Sequence, residues 1–187
     1  MQPYDARTHH MPAFGAARAA FADGTDDPRR FLERCLETIE ARESEVHAFV
    51  VTRIDDARRA ADAATARYRA GIPLSVVDGM PVGLKDTIET ADMPTQMGSP
   101  FFEGHESHRD AACVDALRRG GAVIVGKTVA TEFAYGRQQG THNPFDPSRT
   151  PGTSSSGSAA AVAAGMLPAA LGTQLKSSIL RPSSYCG

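Results

Sequence analysis

Three consecutive serines, residues 154–156, lie in the stretch PGTSSSGSAAAVAAGM at positions 151–166. A lysine, Lys85, closes the apolar run PVGLK, and two more serines, Ser177 and Ser178, stand in KSSILRP. These residue types can do nucleophilic chemistry together. A serine hydroxyl attacks poorly until a base takes its proton. Lysine can be that base only when neutral, and lowering its pKa from about 10.4 to near 7 requires about 4 to 5 kcal/mol. Desolvation on a buried strand can supply that much. Asp86 follows Lys85 directly, but strand neighbours point to opposite faces, so it need not hold the lysine charged. A loop serine between base and nucleophile can relay the proton. The serine loop has two other readings, a flexible linker or an anion cradle at a helix start. The alanine-rich helix that follows at once argues against a linker. Taken singly, Lys85 reads as a surface charge and Ser154 as a helix cap.

One motif invites a different chemistry. GAVIVGKT, residues 121–128, satisfies the phosphate-loop pattern G-x-x-x-x-G-K-[ST]. That loop works by curling flexible backbone around phosphate. Here the intervening residues are Ala122, Val123, Ile124 and Val125, which favour an extended strand. The segment therefore reads as a buried strand and not as a nucleotide site. His105, His108 and His142 lie at no ligand spacing and read as surface residues. Cys35, Cys113 and Cys186 form no metal pattern and read as free thiols in a reducing compartment, the cytoplasm. No metal or organic cofactor is implied.

The elements that must position these groups are legible from periodicity. Residues 12–23 read as a short helix stopped by Gly24. The clearest helix begins at Pro28, capped by Asp26 or Asp27, with Phe31, Leu32, Cys35, Leu36, Ile39 and Val46 on one face. A third, over about 53–70 and ended by Gly71, has only a thin apolar stripe and reads as a surface helix. These helices, in residues 1–75, are expected to wrap a core rather than form one. From residue 76 to 187 the texture changes: a strand-like run PVGLKDTIE over 81–89, a helix with Ala111, Val114 and Leu117 inward, strand 121–128, a long loop, then helix and strand. This is an α/β chain with a mixed or parallel sheet. Its net charge of −2 gives no case for nucleic acid or anionic membrane. The start, MQPYDARTHHMPAF, lacks the apolar core of a signal peptide, and no apolar run is long enough for a membrane helix.

GMPVGLKD, GGAVIVGKTVATEFAYG, NPFDPSRTPGTSSSGSAAAVAAGMLPAALGTQ and SSILRPSSYCG together resemble the amidase signature family, in the family's order. The resemblance runs from about residue 28 to 187 and is densest from 79. It implies an amidase-signature-like mixed β-sheet flanked by helices, and a serine, cis-serine, lysine triad. Lys85 matches the base, Ser154 the relay serine preceded by a cis peptide bond, and Ser178 the nucleophile. Ser155 and Ser156 read instead as loop-packing or cap residues, with Ser155 placed to hydrogen-bond near the site. The implied reaction is hydrolysis of a small-molecule carboxamide through an acyl-enzyme. Small bacterial amidases are one implied kind; the amidase component of a tRNA-dependent amidotransferase is the alternative. A homo-oligomer is a possible assembly, and Arg181 is expected to form a structural ion pair.

Two departures carry expectations of their own. Where the family reads G-T-x-T-G-G-S, this chain has Gly172-Thr173-Gln174-Leu175-Lys176-Ser177-Ser178. The oxyanion donors would then be backbone N–H groups of Leu175, Lys176 and Ser177, without glycines to ease their dihedrals. The family's catalytic domains also extend well past the nucleophile motif. The fold is therefore expected to be the N-terminal part of the family's core, incomplete at the C-terminus, with an open sheet edge. A truncated, inactive remnant is the reading opposed to a working amidase.

Overall fold

The computed structural model describes residues 12–136 and 139–187, so the stretch read for a signal peptide lies largely outside the described residues. Three helices come first. α1 (Phe14–Asp23) ends at Gly24, whose φ of 78° is the left-handed stop expected there. α2 (Pro28–Val46) starts at Pro28, and the Asp27 side chain accepts a hydrogen bond from the Arg30 N–H. α3 (Ile54–Arg69) follows a short strand, β1 (Phe49–Thr52), which periodicity alone did not reveal. Then come β2 (Pro81–Lys85), α4 (Ala112–Arg119), β3 (Val123–Thr128), α5 (Ser156–Ala163), β4 (Ala169–Leu171) and α6 (Leu180–Tyr185).

The four strands form one mixed sheet in the order β1-β3-β2-β4. β2 runs parallel to both β3 and β4, and β1 is antiparallel to β3. One face carries Leu32, Leu36, Ile39, Ala57 and Ala61 against Val123, Val125, Ala160 and Leu167. The other carries Val82, Leu84, Ile88, Met93, Val114 and Ile124. α2 and α3 therefore do more than wrap. Leu32, Leu36 and Ile39 of α2 lie in the larger core cluster. Ala57, Ala61 and Ala64 of α3 are fully buried or nearly so. The thin stripe on α3 misled because it is made of alanines: small side chains let that helix approach α2 and the sheet closely.

A bulge decides where the chemistry faces. Val82 pairs with Ile124 but Gly83 pairs with Gly126, so Val125 is an extra residue in β3. Strict alternation would put Lys127 on the side of Val125. The extra residue turns it to the other side, where it meets Pro94 and Thr95. Thr128 consequently faces α5, where its hydroxyl lies 2.6 Å from that of Ser158. Gly126 is needed here, because a Cβ would collide with the Val51 carbonyl of β1. The whole of GAVIVGKT from Val123 onward is thus a buried strand, and its lysine is committed to the protein's own groups.

Candidate active site

Lys85 is the last residue of β2 and is fully buried. Its Nζ donates to Ser154 Oγ at 2.7 Å, to Thr173 Oγ1 at 2.9 Å and to the Thr173 carbonyl at 3.3 Å. None of these partners is an acid, and burial alone draws its pKa down to about 8. Asp86 points to the opposite face, as expected of a strand neighbour. There it pairs with Lys127 at 3.3 Å and accepts from the Gln96 N–H at 3.2 Å. Burial draws Lys127 down and Asp86 up, and each charge opposes the other's shift.

Ser154 is buried and follows a cis peptide bond from Thr153. Its carbonyl accepts from the Thr131 N–H at 3.2 Å, which fixes the loop to the segment after β3. Ser155 precedes α5 and supports the site by two bonds. Its N–H donates to the Ser178 carbonyl at 3.0 Å and its hydroxyl to the Thr173 carbonyl at 3.3 Å. Ser156 opens α5 and its hydroxyl reaches the Val129 carbonyl at 3.5 Å.

The serine loop and the segment leading into α6 are packed together. Gly152 lies against Pro182 at a φ of 87°, and a Cβ on Gly172 would stand 2.7 Å from Ser155 Oγ. The structure thus brings Lys85, Ser154 and Ser155 into one hydrogen-bonded group and anchors Ser178 to it through its carbonyl. The Ser178 hydroxyl itself bonds to neither Lys85 nor Ser154. Leu175 and Lys176 are exposed and Ser177 half-buried. None of the three takes a left-handed φ. Among the described residues, the N–H groups of 175–178 donate to no acceptor. The Gln174 side chain instead accepts from the N–H groups of Ile179 and Leu180, each at 2.9 Å, holding the start of α6.

Two residues of the site were not marked by the sequence. Thr173 and Gln174 both lie inside the G-T-x motif, where a threonine and a glutamine carry no local sign of the hydrogen bonds they make. Arg181 is exposed and, contrary to expectation, pairs with no acid among the described residues, because the acids cluster on other elements. His105 and His108 are exposed, and His142 lies with its Nδ1 2.7 Å from the Pro147 carbonyl. No group of three or more His, Cys, Asp or Glu among the described residues could hold a metal ion. Cys35 and Cys186 are buried thiols pushed up to about 12, and Cys113 is an exposed free thiol. No described helix is long and apolar enough to cross a membrane.

Residues 30–187 match the Amidase family, and the chain belongs to it. A glutamyl-tRNA(Gln) amidotransferase subunit from Chloroflexus aurantiacus is 43% identical over 185 residues, which cover 96% of this chain and 38% of the relative. The peptide amidase of Stenotrophomonas maltophilia superposes with a TM-score of 0.85 at 32% identity, over 91% of this chain and 38% of that one. A glutamyl-tRNA(Gln) amidotransferase subunit from Thermotoga maritima superposes with a TM-score of 0.70 at 34% identity, over 86% and 34% of the two chains. The chain therefore spans less than half the length of these relatives.

Proposed function

We propose that this chain carries the proton-relay and nucleophile segment of an amide-cleaving enzyme, with Lys85 as base, Ser154 as relay and Ser178 as nucleophile. The observation that carries the reading is a fully buried lysine whose hydrogen-bond partners are all neutral, 2.7 Å from the hydroxyl of a loop serine. In the reaction, Ser178 gives its proton to Ser154 Oγ as Ser154 gives its own to neutral Lys85. Ser178 Oγ then bonds to the carboxamide carbon and the carbonyl becomes an oxyanion. Free N–H groups of Leu175, Lys176 and Ser177 stabilise that charge. Collapse breaks the C–N bond, and the proton on Lys85 returns through Ser154 to the leaving ammonia or amine. Water repeats the sequence on the acyl-enzyme. The substrate is a small-molecule carboxamide and the compartment the cytoplasm.

A second reading rests on the relatives named as glutamyl-tRNA(Gln) amidotransferase subunits. Under it the same residues release ammonia inside a larger assembly, and other subunits would copurify with the chain from its source. Both readings share one test. The 187-residue chain is treated with a fluorophosphonate and the adduct mapped by peptide mass spectrometry. An adduct on Ser178 that is absent from Lys85→Ala and from heat-denatured protein is the expected result. A folded sample without an adduct ends both readings for this chain.

A further inference from the structure

Counting donors at Lys85 identifies one more residue of the relay. An ammonium has three N–H donors, and three acceptors surround Nζ: Ser154 Oγ, Thr173 Oγ1 and the Thr173 carbonyl. A neutral amine has two donors and one lone pair. The Thr173 carbonyl can only accept. Thr173 Oγ1 lies 3.4 Å from Thr87 Oγ1, so its hydrogen can turn to Thr87 and leave a lone pair for Lys85. Both N–H groups of the amine then go to Thr173, and its lone pair is left facing the Ser154 hydroxyl. We propose that Thr173 is the positioning residue that aims the lone pair of neutral Lys85 at Ser154, by accepting both of its N–H bonds.

This rests on the relay reading above. Without the Thr173 hydroxyl, one N–H loses its acceptor and the amine can rotate about its terminal bond, so that a hydrogen rather than the lone pair meets Ser154. The backbone is arranged for the role. β4 ends at Leu171, and Gly172 lets the chain pass beside Ser155, delivering both oxygens of Thr173 to the same nitrogen. The Ser155 hydroxyl also bonds the Thr173 carbonyl and fixes its direction. The remaining charges do not compete: Asp86 and Lys127 are paired on the other face of the sheet, and Lys176 is exposed.

The chain has three lysines, Lys85, Lys127 and Lys176, so each Nζ can be followed by NMR in lysine-labelled protein. Thr173 is exposed, which lets the chain fold around a substitution. Thr173→Val should move the Lys85 midpoint down by about one pH unit, because an acceptor that favours the ammonium has gone. It should also slow fluorophosphonate labelling of Ser178 by about 10- to 100-fold at pH values where Lys85 is neutral. Thr173→Ser, which keeps the hydroxyl, should restore both. A Lys85 midpoint in Thr173→Val that stays within about 0.3 units of the parent overturns the proposal, as does labelling at the parental rate. If the parent chain never labels, the relay reading fails. The titration then still decides whether Thr173 holds Lys85.

Discussion

Lys85 and Lys127 sit on neighbouring strands, both fully buried, yet their surroundings differ in kind. Lys127 meets a carboxylate, a carbonyl and a hydroxyl, and serves to neutralise Asp86 and tie down residues 94 and 95. Lys85 meets two hydroxyls and a carbonyl, all of them neutral. Burial without a counter-charge favours the neutral amine, whereas burial beside a carboxylate holds a pair. Burial is common to the two lysines; what separates them is the charge of their partners. Alternation along β2 puts Lys85 and Asp86 on opposite faces, and the bulge at Val125 turns Lys127 to the face of Asp86.

The sharpest way to break this comparison is substitution by methionine, similar in length but uncharged. Lys127→Met leaves Asp86 buried and unpaired and should cost about 3 to 5 kcal/mol, read from urea unfolding. The double variant Lys127→Met with Asp86→Asn should recover a large part of that loss. Lys85→Met should do the reverse and stabilise the fold by about 1 to 3 kcal/mol at pH 7, while abolishing labelling of Ser178. Equal destabilisation by both single variants would show that the two environments do not differ as described.

The pH dependence follows from the same shift. The folded value for Lys85, about 8, is below its ordinary 10.5. The cost of burying it is therefore full below pH 8 and fades as pH rises toward 10.5. The stability gap between Lys85→Met and the parent should shrink over that interval, and urea melts at about pH 7 and about pH 10 would show it. The smallest effect is expected on the surface near the site. Arg181→Ala should change stability by less than about 0.5 kcal/mol, because the side chain is exposed and has no acid partner among the described residues.

Much of this was readable in the sequence, and the failures have physical causes. Phe31, Leu32, Cys35, Leu36, Ile39 and Val46 face the core because a 19-residue helix displays its periodicity over several turns. GAVIVGKT could be assigned to a strand because β-branched residues do not curl around phosphate. β1 was invisible because a four-residue edge strand carries almost no period. α3 was undervalued because alanine contributes little to an apolar stripe while packing closely. In the site, Lys85, Ser154 and Ser155 were marked by motif, and the opposite facing of Asp86 followed from alternation. The pairing of Asp86 with Lys127 was not legible, since it depends on a bulge that no local pattern announces. Thr173 was missed for a similar reason: its role comes from the path of the chain past Ser155.

The central claim is that a neutral Lys85 activates Ser178 through Ser154. The most direct measurement is the rate of Ser178 phosphonylation by a fluorophosphonate as a function of pH, in the parent and in Lys85→Met. The account predicts a rate that rises through a midpoint near pH 8 in the parent and is lost in the variant. A pH-independent rate, or the same profile in Lys85→Met, would contradict it.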